Sequence, residues 1–135
     1  MKVVTSLVDD YEFEAVNESG NKVKIDMYPK EQKQAQSPME LLLSAVSACS
    51  AVDLVQMLKK RKKSVVDLKI ETVGVRRDTI PKSFTDITLN FKLVSPDASL
   101  EEFQKLTKLS VEKYCSVEAS LGGVNIQFNC EVVAP

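Results

Sequence analysis

Residues 37–58 restrict the fold of this chain more than any other stretch. Ser37, Pro38 and Glu40 stand where a helix start needs them. The serine hydroxyl is placed to accept from the third helical amide, and the glutamate to return a bond to the serine N–H. The proline occupies the one helical position where a missing N–H costs nothing. From Leu41 to Leu58 nearly every residue is then apolar or small. A helix of that composition is expected to be enclosed on most sides, and a single small sheet covers only one side. The expectation is a long buried central helix whose remaining surface is covered by a second copy of the chain.

The flanking segments predict what surrounds it. Lys2 to Val8, Tyr11 to Val16 and Lys22 to Met27 read as a strand meander, with NESGN (17–21) as a hairpin loop. Tyr11, Phe13 and Ala15, and likewise Val23, Ile25 and Met27, alternate with polar residues, which predicts a sheet with one wet face. The polar stretch from Pro29 to Gln36 lacks periodicity and reads as a loop long enough to act as a lid. After KKRKK (59–63), read as a solvated helix end, Val65 to Arg77 and Phe84 to Val94 predict two long antiparallel strands with Ile87, Leu89, Phe91 and Leu93 buried. Ser99 and Glu102 open a second helix with Leu100, Phe103, Leu106 and Tyr114 on its inner side. A short turn, SVEASLGG, leads to the closing strand VNIQFNCEVV. The whole is expected to be an α+β fold, an antiparallel sheet with a long buried central helix and a second helix, in one domain, residues 1–135.

Charge and composition exclude several functions. A net charge of −1 gathers neither nucleic acid nor an anionic membrane. The N-terminus turns acidic before any signal-peptide core forms, and Ser44, Ser47, Ser50, Asp53 and Gln56 interrupt residues 41–58 as a membrane span. The expected location is the cytoplasm, where three cysteines do not build a disulfide scaffold. With no histidine there is neither a Cys-His dyad nor a histidine-bearing zinc site.

Cys130 falls on the apolar side of a strictly alternating strand and reads as packing. Cys115 lies between two helical segments. Ser116 is the expected cap of the second, which would set the thiol beside a helix N-terminus that favours a thiolate. Cys49 sits among Ala45, Val46 and Val52, one turn from Asp53, a setting that disfavours ionisation. Asp53 is itself expected to need a partner.

Ser-Pro-Met-Glu-Leu-Leu-Leu running into Ala48-Cys49, a second cysteine in Glu-Lys-Tyr-Cys115-Ser116-Val117, and Phe84-Thr85-x-Ile87 together resemble the OsmC/Ohr family of osmotically inducible and organic hydroperoxide resistance proteins. The resemblance covers essentially the whole chain. It implies an intertwined homodimer with the two thiols near its interface, and no metal or organic cofactor. Cys49 would attack an organic hydroperoxide or other small electrophile and become a sulfenic acid. Cys115 would resolve it to a disulfide, and a lipoyl-type dithiol would reduce that. The family's activating arginine and its glutamate partner have no counterpart: no arginine precedes Arg61, Lys22 and Lys24 are the nearby cations of the meander, and Met39 follows Pro38. Arg76 and Arg77 are the nearest other arginines. Two readings therefore stand: a thiol redox protein acting through Cys49 and Cys115, or a non-enzymatic dimer that binds a small apolar or thiol-reactive ligand in the family's interface pocket.

Overall fold

The computed structural model describes residues Met1–Pro135. They gather into two compact units, Met1–Leu42 and Leu43–Pro135, whose boundary falls inside the long helix.

In the first unit β1 (Val3–Asp9), β2 (Glu12–Asn17) and β3 (Lys22–Asp26) form an antiparallel meander in that order. The NESGN loop closes on one side chain: Asn17 Oδ1 accepts from Ser19 N at 3.1 Å and Asn21 N at 2.9 Å, and Gly20 takes the left-handed conformation at φ 83°. The predicted single wet face is not what forms. β1 is exposed along its whole length, Val23 and Met27 are exposed, and the residue that β3 buries is Asp26. Alternation tells which residues share a face; it does not tell whether anything covers that face.

Asp26 also overturns the expected lid. Residues 29–36 contain a 3₁₀ turn at Lys30–Gln32 and are anchored, because Gln34 N and Ala35 N each donate to Asp26 Oδ2 at 2.9 Å. Lys33 Nζ donates to Asp26 Oδ1 at 3.0 Å and to its backbone oxygen at 2.8 Å. Burial alone would raise the pKa of this carboxyl, but the Gln34 and Ala35 amides and the Lys33 ammonium outweigh it and hold the pKa below the ordinary value. The long helix α1 (Pro38–Lys60) starts as predicted, with Glu40 N donating to Ser37 Oγ at 3.3 Å and Ser37 N to Glu40 Oε1 at 3.0 Å.

The second unit holds the rest of α1 and a three-stranded sheet ordered β4 (Asp67–Arg76), β5 (Phe84–Val94), β6 (Asn125–Val133). Between β5 and β6 lie α2 (Leu100–Leu109), a π-turn at Ser110–Tyr114 and the short α3 (Ser116–Ser120). β4 and β5 are antiparallel as expected. β6, however, runs parallel to β5, from Asp86↔Asn125 to Val94↔Val133. Residues 95–124 carry the chain back along the sheet, so β6 begins beside the start of β5, the crossover that a parallel pair requires.

Ile87, Leu89, Phe91 and Leu93 are buried with Phe103 and Leu106 of α2, and the Phe91 and Phe103 rings meet edge to face at 6.5 Å. α1 comes close to the sheet at Gly74, where an added Cβ would lie 2.8 Å from Phe84 Cδ1 and 3.0 Å from Leu43 Cδ2. Only one stripe of α1, Val46, Ser50, Leu54 and Leu58, is buried by the chain itself, while Leu42 and Val52 are exposed. The enclosure expected of this helix is thus supplied on one face. The helix is long and apolar enough by length and composition to cross a membrane, despite its serines and Asp53, but its fourfold-spaced buried stripe is that of a core helix.

The basic run is tied down more than expected: Arg61 and Lys63 lie 3.4 and 3.7 Å from the Glu102 carboxylate, and Lys63 Nζ donates to the Asp97 carbonyl at 3.0 Å. Ser99 caps α2 as predicted, accepting from Glu102 N at 3.1 Å. Leu100 and Tyr114, by contrast, are exposed rather than inward. The π-turn adds a residue to the helical turn and rotates Tyr114 away from the face that Phe103 and Leu106 define.

On the inner face of β4 the Thr72 hydroxyl oxygen is buried without a hydrogen-bond partner. Thr72→Val keeps the shape and removes that unsatisfied group, so it is expected to stabilise the protein by about 1 kcal/mol in urea unfolding. An unchanged or lowered midpoint would show that the hydroxyl finds a partner in solution.

Candidate functional site

Cys49 lies near the middle of α1, half-buried, and Cys115 lies between the π-turn and α3, fully buried; both are free thiols. Although 66 positions apart in sequence, they are near enough that the Cys49 thiol, by hydrogen bonding and by charge, helps to raise the pKa of Cys115. Cys115 Sγ also lies 3.8 Å from the Val46 carbonyl oxygen, as its donor, and accepts from Glu118 N at 3.3 Å.

Cys115 itself, not Ser116, is therefore the N-cap of α3. It has the extended backbone of a cap, φ −72° and ψ 105°, while Ser116 is already helical. The expected gain for a thiolate does not prevail. Burial, the largest influence, pushes the Cys115 thiol up, the Glu118 N–H and the Ser50 hydroxyl pull it down, and the interaction with Cys49 adds to the rise. Cys115 thus stays protonated to higher pH than an exposed thiol.

Ser50 was not singled out by sequence reasoning, and it belongs to this site. It is fully buried, its hydroxyl donates to Val46 O at 2.9 Å, and the same group lies near enough to Cys115 to pull that thiol's pKa down. One hydroxyl proton is thus available either to a carbonyl or to a developing thiolate. The available signal was position: Ser50 falls on the stripe 46, 50, 54, 58 that faces inward.

The other residues singled out lie elsewhere. Cys130 is half-buried on the inner side of β6, where burial raises its pKa and the Thr107 side chain partly offsets this. Arg76 and Arg77 donate through Nε to the carbonyls of Lys82 and Pro81, and so close the turn between β4 and β5. Lys22 lies 3.9 Å from Glu14 on the exposed meander, and Lys24 is exposed there too. Asp53 needs no buried partner, because it is half-exposed in a groove with Gln56, Met57, Lys60 and Tyr114.

Residues 30–131 match the family model described as OsmC-like protein. The chain is 36% identical over 135 residues to Protein YhfA of Escherichia coli K12, covering 99% of each. A crystal structure of a hypothetical protein from Aquifex aeolicus is similar at TM-score 0.87 and 30% identity, covering 99% of this chain and 96% of that one. An organic hydroperoxide resistance protein from Legionella pneumophila shares the fold at TM-score 0.68 and 16% identity, with 98% of both chains covered. With two free thiols from distant parts of the chain set against each other in this α+β frame, the protein belongs to the OsmC-like family.

Proposed function

We propose that the chain is a thiol-dependent redox protein that reduces organic hydroperoxides, or another small electrophile, through Cys49 and Cys115. The observation that carries this reading is the nearness of the two thiols, through which Cys49 helps to raise the pKa of Cys115. The name of the Legionella pneumophila structure, an organic hydroperoxide resistance protein, supports the choice of substrate.

The chemistry balances with these residues. The Cys49 thiolate attacks the peroxide oxygen, the O–O bond breaks, and the substrate leaves as an alcohol once protonated, which gives Cys49 sulfenic acid. Cys115 then attacks that sulfur, and water leaves as the disulfide forms. A dithiol donor of the lipoyl type returns both cysteines to thiols and is itself oxidised. Before the first step an ionised Cys49 disfavours a second charge at Cys115. Once Cys49 is a neutral sulfenic acid that repulsion is gone, and Glu118 N–H and Ser50 remain to favour the Cys115 thiolate. The order of the steps is thus built into the pair.

The working unit in this reading is a cytoplasmic homodimer with residues 1–135 acting as a single domain. The family match supports the single domain because residues 30–131 cross the boundary between the two compact units. In the second unit the exposed Val52 on α1, and in the first unit, taken by itself, the exposed Val3, Val4, Leu7 and Val8 on β1, are apolar surface available to a second copy. The alternative, a dimer that binds a ligand without turnover, draws on the raised pKa of Cys115, which slows resolution.

Mass analysis after one equivalent of tert-butyl hydroperoxide separates the two. The wild type is expected to lose two hydrogens through a Cys49–Cys115 disulfide, and Cys115→Ser to stop at a dimedone-trappable sulfenic acid on Cys49. Two intact thiols after treatment would exclude the redox reading.

A further inference from the structure

A groove of about 300 Å³ is lined by Asp53, Gln56, Met57, Lys60 and Tyr114, all close in the chain to one or other of the two thiols. Its position follows from the chain. Asp53 is one helical turn beyond Cys49, which places their Cβ atoms about 6 Å apart on one face of α1. Tyr114 is the residue immediately before Cys115. Tyr114, the one groove residue not on α1, ends the π-turn Ser110–Tyr114, a local irregularity of a kind that recurs at functional sites. Its effect is visible: it leaves Tyr114 50% exposed toward the groove while the next residue is buried against Cys49.

The charges are ordered along the helix. Asp53 is nearest the thiols, and no ion pair engages its carboxylate. Gln56 and Met57 follow, and Lys60 lies about 10 Å farther along α1 than Asp53. Lys113 lies over the Tyr114 ring, 5.4 Å from its centroid. A molecule whose reactive atom reaches Cys49 thus passes a carboxylate first, an aromatic ring and a thioether next, and an ammonium last.

We infer that this groove selects the substrate of the thiol pair, and that Asp53 is its specificity-determining residue, favouring electrophiles with a cationic group close to the reactive atom over anionic ones. The inference rests on the reading of Cys49 as a reactive thiol, but not on the identity of its natural oxidant. The class of compound is an amphipathic, amine-bearing electrophile or peroxide: positive near its reacting end, apolar or aromatic in its middle, with room for a negative group at Lys60. At about 6 Å and intermediate dielectric, one unit charge biases the rate of a charged reagent by about tenfold.

The test uses two probes of opposite charge, (2-aminoethyl) methanethiosulfonate and (2-sulfonatoethyl) methanethiosulfonate, with the intact protein carrying Cys115→Ser and Cys130→Ser so that the label on Cys49 is not displaced. In each reaction the Cys49 thiolate attacks the sulfenyl sulfur, a disulfide forms, and methanesulfinate leaves. The rate of labelling at Cys49 is read by peptide mass. The cation-to-anion rate ratio is expected to fall about tenfold in Asp53→Asn and to stay unchanged in Asp67→Asn, which removes an exposed acid on β4. An equal ratio in wild type and Asp53→Asn overturns the inference, and so does an Asp53→Asn protein whose only change is in thermal stability or oligomeric state. Absence of hydroperoxide turnover in the wild type would remove the proposed peroxidase activity while leaving this ratio, and the inference, intact.

Discussion

Cys49→Ser is expected to reduce turnover of tert-butyl hydroperoxide with a dihydrolipoyl donor to the uncatalysed background, a loss of at least about a hundredfold. A serine hydroxyl is not ionised at neutral pH and has no sulfenic state, so both the nucleophile and the intermediate disappear. Cys115→Ser should differ in kind: one stoichiometric oxidation survives, and catalytic cycling through the intramolecular disulfide does not. The pH dependence separates the two thiols further. Disulfide closure needs the Cys115 thiolate, and burial raises that thiol's pKa. Below that value the closure rate therefore rises with pH by about tenfold per unit, and it continues to rise beyond the free-thiol value of about 8.5. Stopped-flow closure rates from pH 6.5 to 9.5 check this. A plateau near neutral pH would mean that Cys115 is activated rather than restrained.

Phe91→Ala carries the largest expected cost in stability, about 3–5 kcal/mol. Phe91 is 1% exposed in the centre of β5, and its ring meets fully buried Phe103 edge to face at 6.5 Å. Truncation removes the ring from the layer between the sheet and α2 and leaves a cavity that the surrounding backbone is too regular to close. Against the 5–15 kcal/mol typical of a small protein, that is a large share of the total. Phe103→Ala should cost a similar amount, and the two losses should fall short of additivity by about 0.5–1.5 kcal/mol, the value of the ring pair itself. Urea unfolding of the two single variants and the double variant measures this. Strict additivity would show that the two rings stabilise the fold independently.

The parts of this fold that were legible in sequence are those written in local chemistry. The Ser37–Glu40 and Ser99–Glu102 caps formed where their spacing predicted, because a cap is a contract between residues three apart. The alternation in Phe84 to Val94 named the buried face of β5. What local pattern does not encode is direction and cover. A strand with period-two alternation reads the same whichever way it runs. The parallel course of β6 was therefore missed, although a helix between the two strands was there to point to it. Cover was legible in one place only: α1 carries more apolar surface than one sheet can bury, and the chain itself buries only the Val46–Leu58 stripe.

The candidate site shows the same division. Both cysteines were singled out from their contexts, but their meeting, Ser50 at their side and the capping role of Cys115 all depend on tertiary placement. Asp26 is the clearest miss. In sequence it is one acid in a polar alternation; in the structure it is the buried acceptor that gathers Lys33, Gln34 and Ala35.

The parallel pairing of β5 and β6 also has a bearing on how the chain reaches this state. Until residues 125–133 arrive and align, one edge of the strand carrying Ile87, Leu89, Phe91 and Leu93 has no neighbour to bond with. Pairings between distant segments close late and slowly, and an apolar strand with an open edge is a template for other chains. A nascent or C-terminally clipped molecule is therefore most at risk of self-association along β5. The strand that completes the sheet is also what keeps finished copies of the protein from pairing along β5.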